Sequence, residues 1–170
     1  MLLHGGMTPI ETFGGLRPGL SERFRVYLPE RRGHGRTPDV PGPITYEIMA
    51  ADTVAFLEKV LTEAAHLVGW SDGAVVGLLV ALMRPDLVRS LVYVGNPLNA
   101  SGLRPELQGV ELSPDMLPPM LRELYGAVSP DGPEHFDEVF AKLIPTWQSE
   151  PVADLSELEQ LPSAHARGCG

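Results

Sequence analysis

The chain has 170 residues, 44% of them hydrophobic and 21% charged, the profile of one globular domain of ordinary size. Its formal net charge of −9 repels nucleic-acid phosphates and anionic membranes, so neither is expected as a partner. A single cysteine, Cys169, excludes a disulfide framework and a thiolate metal site, and fits a reducing cytoplasm.

Met1-Leu2-Leu3 runs straight into His4-Gly5-Gly6 and reads as the end of a strand followed by a glycine turn. The N-terminus has no basic segment and no sustained apolar run, so no signal peptide is expected. Residues 24–28, Phe-Arg-Val-Tyr-Leu, have strand composition and end at Pro29. The loop Arg32-Gly33-His34-Gly35-Arg36 follows. A helix is predicted over 45–63, with Met49, Phe56, Leu57 and Val60 at helical spacing. Asp52 falls on its polar side. Residues 66–70 read as a strand, and 74–83 as a buried helix too short to span a bilayer. Small residues, Ala74, Gly77 and Ala81, would let that helix pack closely on a sheet. Residues 88–94 are near-continuously apolar, as in a parallel strand covered on both faces.

Alternating strands and helices predict an α/β fold, a partial doubly wound parallel sheet over residues 1–97. The character then changes. Residues 98–160 are Pro-punctuated and read as a helical region, with helices expected near 114–127, 133–148 and 152–160. Residues 161–170 form a tail.

The chemistry-bearing motif is Gly69-Trp70-Ser71-Asp72-Gly73, a G-x-S-x-G between an apolar strand and a small-residue helix. A serine in so tight a strand-to-helix turn needs small neighbours, which the glycines supply. The helix behind it aims backbone N–H groups and a positive dipole end at the reaction centre. The His4-Gly5-Gly6 turn offers a second backbone N–H. Gly6 and Asp72 are therefore the candidate oxyanion donors, through main chain only. Next to Ser71, Asp72 is expected to cap the helix rather than act as a triad acid. Trp70 either lines a pocket or packs. Glu134, Asp137 and Glu138 read as a solvated surface and not as a metal site.

Four stretches in order resemble the α/β-hydrolase superfamily: Leu2-Leu3-His4-Gly5-Gly6, Arg32-Gly33-His34-Gly35-Arg36, the GWSDG elbow, and Arg84-Pro85-Asp86-Leu87-Val88 before an apolar strand. The GWSDG form is similar to that of small-molecule esterases, valacyclovir-hydrolase-like ones among them. The resemblance implies that Ser71 is the nucleophile of a hydrolase acting on a small ester, amide or related bond. It implies that 98–160 is a cap over the substrate pocket, and that no cofactor is needed.

In that family the triad Asp and His follow the cap. Here neither is identified. His4, His34, His66, His135 and His165 all lack the expected context and read as structural or surface imidazoles. The chain is therefore expected to be incomplete at both ends, with unpaired apolar edges and poor solubility. The tail from Ser163 to Gly170 breaks the apolar pattern that the family would place there. A one-base shift can restore Pro-Thr-Leu-Val-Val-Ala-Gly, so a frameshift is expected, and the nucleotide sequence decides it. A non-catalytic remnant or ligand-binding domain stays open as the alternative. A nucleotide-binding reading fails, because Gly69, Gly73 and Gly77 are spaced every fourth residue and no P-loop lysine follows.

Overall fold

The computed structural model describes residues 1–97, 110–148, 155–159 and 161. Strands β1 (Leu2–Leu3), β2 (Ala65–Trp70) and β3 (Val88–Val94) form a parallel sheet in the order β1-β2-β3. Leu3 lies opposite Gly69, and Gly69 opposite Tyr93. The helices are α1 (Arg17–Ser21), α2 (Tyr46–Val60), α3 (Asp72–Met83), α4 (Pro119–Val128), α5 (Phe136–Gln148) and α6 (Leu155–Glu159). A parallel sheet with helical crossovers is the α/β class expected from the alternation.

Helix α2 starts where a cap residue stands: the Thr45 side chain accepts from the Ile48 N–H at 3.2 Å. Glu47 in its first turn and Lys59 in its last match the helix dipole. It stops at Val60, short of the predicted 63, because Leu61 is already extended toward β2. Helix α3 is apolar all round. It packs on all three strands and against α2, which buries Ala74, Val76, Val80 and Ala81.

Two expectations for the sheet need correction. Residues 24–28 form no strand. The Leu2 N–H donates to the Tyr27 carbonyl at 2.9 Å, and β1 has only two residues with which to continue a ladder. Among the described residues nothing covers the second face of strand β3. Leu91 and Tyr93 pack into the core, whereas Val92 and Val94, on the other side by strand alternation, are 50% and 45% exposed.

The helical region also differs in detail. The segment predicted over 114–127 splits into a 3-10 turn at Pro114–Met116 and helix α4. Leu117, held extended by the following Pro118, separates them. The segment predicted over 133–148 opens as a 3-10 turn at Pro133–His135 and continues as α5. Phe136, Val139, Phe140 and Leu143 of α5 lie on one buried stripe, and they join the same core as Met49, Leu57, Leu67 and Val76. The Thr146 hydroxyl, on the same helix, donates to the Ile44 carbonyl at 2.6 Å. The boundary expected at 97/98 and most of the tail, His165 and Cys169 included, fall outside the described residues.

Candidate active site

Ser71 sits at the junction of β2 and α3 with φ 54° and ψ −124°. A non-glycine residue with this backbone costs on the order of 1–3 kcal/mol and persists only where its surroundings over-determine it. They do so here. The Ser71 N–H donates to the Val94 carbonyl at 2.8 Å, which ties the turn to β3. A Cβ at Gly69 would stand 2.3 Å from the Gly73 carbonyl oxygen, and one at Gly73 would stand 2.0 Å from that of Leu3. Only glycine fits either place, so the G-x-S-x-G spacing is a packing requirement of the turn.

The His4-Gly5-Gly6 loop lies against this turn. A Cβ built at Gly5 would be 3.3 Å from the Ser71 Cβ and 3.0 Å from the Trp70 ring. One at Gly6 would be 2.4 Å from Asp72 Oδ2 and 2.8 Å from the Trp147 ring. The fold thus brings together Gly5, Gly6, Gly69, Trp70, Ser71, Asp72 and Gly73, which the sequence placed in two separate motifs. Trp70 stays 39% exposed.

Asp72 departs from the expected capping role. It stands in the first turn of α3, with Ser71 at the cap position, and its carboxylate turns inward. Tyr46 Oη donates to Oδ1 at 3.2 Å and Trp147 Nε1 donates to Oδ2 at 2.9 Å. Burial raises the Asp72 carboxyl above its ordinary range, while the positive charge of Arg31 and the two hydrogen bonds pull the other way. Burial beside this carboxylate likewise raises the Tyr46 phenol.

Beneath the loop Arg31, His4 and His34 form a buried cluster. Arg31 Nη2 donates to the His4 and Gly5 carbonyls at 2.5 and 3.1 Å, and the Arg31 N–H donates to His4 Nε2 at 3.2 Å. The His4 and His34 rings stand 5.1 Å apart. Burial first, then the neighbouring Arg31 charge, pushes His34 down to about 3 and His4 well below its ordinary value. Both imidazoles are therefore neutral. Burial also lowers Arg31 to about 10, which leaves it charged near neutrality, offset by Asp72.

Arg31, Tyr46 and Trp147 were not picked out by sequence reasoning. Trp147 carried a usable signal, since it extends the apolar stripe of α5 by four residues beyond Leu143. Arg31 and Tyr46 find their partners only through the tertiary fold.

The other described histidines stand elsewhere. His66 Nδ1 lies 2.8 Å from Ser90 Oγ on the exposed sheet face. His135 Nε2 lies 2.9 Å from Asp39 Oδ2, and Lys142 Nζ bonds the same oxygen. Among the described residues no imidazole is hydrogen-bonded to Ser71. Asp39, His135 and Glu138 offer ligand atoms within 4.8 Å of one another, a geometry able to hold a metal ion. Lys142 already supplies the positive charge there, so the group reads as a salt-bridged contact. Asp137 pairs with Arg122, and Asp52 with Arg32.

No helix among the described residues is long and apolar enough to cross a membrane. The chain is 35% identical over 97 residues to a pimeloyl-[acyl-carrier protein] methyl ester esterase of Aeromonas hydrophila, covering 56% of this chain and 37% of that protein. It is 33% identical over 109 residues to a pyrrolizixenacetamide deacetylase of Xenorhabdus hominickii, covering 64% and 41%. The matches thus span about two-fifths of the length of these relatives. The fold is similar to that of a meta-cleavage product hydrolase from Pseudomonas fluorescens, with a TM-score of 0.72 at 19% identity, over 95% of this chain and 68% of that one. The model of the alpha/beta hydrolase family matches residues 1–168, and the chain belongs to that family.

Proposed function

We propose that this chain carries the nucleophile half of a serine hydrolase acting on a small ester, amide or related bond. Ser71 Oγ adds to the carbonyl carbon, the alcohol or amine leaves with a proton, and water then releases the acyl group as an acid. The observation that carries this reading is the strained, positive-φ backbone of Ser71 on the strand-to-helix turn, locked by two glycines that admit no side chain. The Gly6 and Asp72 N–H groups serve as oxyanion donors, and residues 98–160 serve as a cap, with α5 reaching the elbow through Trp147. The chemistry calls for no cofactor, and the acidic, single-cysteine composition suits a cytoplasmic enzyme.

The test is covalent. A fluorophosphonate probe should label wild-type protein at the Ser71 peptide, read by mass spectrometry, and S71A should not label. Equal labelling of the two proteins, or none in the wild type, would defeat the proposal. The absence of any imidazole bonded to Ser71 among the described residues favours a second reading, a non-catalytic ligand-binding member of the family. That reading expects no labelling.

A further inference from the structure

We infer that Arg31 is a positioning residue that aims the Gly6 N–H at the Ser71 reaction centre, an inference that rests on the serine-hydrolase reading above. In a trans peptide the carbonyl oxygen and the following N–H point in opposite directions, and no cis bond occurs among the described residues. The direction of the Gly5 carbonyl therefore fixes the direction of the Gly6 N–H. Three donors hold that carbonyl: Arg31 Nη2 at 3.1 Å, Thr8 Oγ1 at 2.9 Å and His4 Nδ1 at 2.8 Å.

The His4 tautomer follows from the same set. Its Nε2 accepts the Arg31 N–H, so in the neutral ring the proton sits on Nδ1, which donates to Gly5 O, and the 3.1 Å approach of Arg31 Nη2 to Nδ1 is then a contact between two donors and not a hydrogen bond. Arg31 Nη2 also takes the preceding carbonyl, that of His4, at 2.5 Å. One guanidinium nitrogen thus grips two successive peptide units from the buried side, with charge-assisted bonds stronger than neutral ones. The Gly6 N–H points away from Gly5 O. It has no acceptor among the described residues, while the Gly6 α-carbon abuts Asp72 and Trp147 beside the elbow. Arg31 is nearly fully buried. Its grip on the carbonyls gives that burial a purpose.

The experiment compares labelling of Ser71 by a fluorophosphonate (P=O) and its thio analogue (P=S), which accepts oxyanion hydrogen bonds poorly. Arg31→Met should lower the P=O rate about tenfold or more, short of the 10²–10³-fold typical of deleting an oxyanion donor outright. The P=O to P=S ratio should fall by a similar factor, and Arg31→Lys should recover part of it. Thr8→Val, which removes one neutral donor from the same carbonyl, should lower the ratio less. It serves as the test if Arg31→Met does not fold. Both rates falling together at an unchanged ratio would reveal a merely structural role and overturn the inference. Crystal structures of the variants give a readout that does not need labelling. A rotated Gly5–Gly6 peptide supports the inference and an unmoved one overturns it, even where a failure of wild-type labelling has refuted the hydrolase reading.

Discussion

Trp147 Nε1 donates to the carboxylate of Asp72 at 2.9 Å, which joins helix α5 to the residue after Ser71 across 75 positions of chain. Trp147→Phe keeps an aromatic ring against Phe140, whose centroid is 5.1 Å away, but removes the donor. A buried carboxylate oxygen then loses its partner, and the expected cost is about 1–3 kcal/mol. Urea unfolding should show a lower midpoint at unchanged slope. Because the indole bond pulls the Asp72 carboxyl down, its loss should raise that carboxyl further. A midpoint equal to wild type would show that the bond contributes nothing.

The two elbow glycines should behave unlike the glycines of the surface. Gly69→Ala and Gly73→Ala each force a methyl group into backbone atoms 2.3 and 2.0 Å away. Backbone cannot give way as a side chain does, so a loss of about 3 kcal/mol or more is expected. Gly19, in α1, has open space around it, and Gly19→Ala should be neutral or stabilising by about 0.5–1 kcal/mol. Thermal denaturation of the three variants checks the contrast.

Acid should unfold the protein through its buried imidazoles. The folded pKa of His34 lies at about 3, against an unfolded value near 6.5. Between those values the unfolded chain binds the proton and the folded one does not. Stability is therefore full above about pH 6.5 and falls as pH drops toward 3, by up to about 1.4 kcal/mol per pH unit for each such group. His4, also lowered, acts in the same direction. Asp72 acts oppositely: its raised carboxyl pKa gives stability that is present at low pH and lost as pH rises through the folded value. Two imidazoles outweigh one carboxyl, so stability should fall steeply from pH 6.5 to 4. His34→Gln should flatten that slope, as read from denaturant midpoints against pH.

Much of the architecture was legible because it follows local rules. The alternation of apolar segments gave β2, α2, α3 and β3 with ends within three residues, and the G-x-S-x-G context located the strained serine. Residues 24–28 misled because strand composition needs a partner, and a two-residue β1 provides one bond only. Asp72 read as a cap because helix-start chemistry is local, whereas its real partners, Tyr46 and Trp147, arrive from distant helices. Arg31 had no local signature at all, since its role is set by carbonyls 26 and 27 residues earlier in the chain.

A second tie joins the loop before α2 to α5. The Asp39 side chain is only 5% exposed and accepts from Lys142 and from His135. Burial pushes its carboxyl up, but those two hydrogen bonds prevail and hold it below its ordinary value. Asp39→Asn should cost about 1–3 kcal/mol, between a surface pair and a fully buried one, since Lys142 and His135 are partly solvated. A double-mutant cycle with Lys142→Met isolates the pairwise share. A coupling energy indistinguishable from zero would show that the two charges do not support each other.

The open face of the sheet should govern how the protein behaves at high concentration. Val92 and Val94 alternate outward on β3, and Trp70, opposite Val94 on β2, is exposed beside them. Among the described residues β3 pairs only with β2 and stands at the edge of the sheet, next to that apolar patch. An exposed apolar edge strand is a template for pairing with another chain. The protein is therefore expected to self-associate as its concentration rises, read by light scattering or sedimentation. A Val92→Lys, Val94→Lys variant places like charges on the patch without touching Leu91 or Tyr93, which face the core. It should remain dispersed at concentrations where the wild type associates, with a thermal midpoint close to wild type. Association unchanged by the two lysines would move the cause of aggregation away from β3.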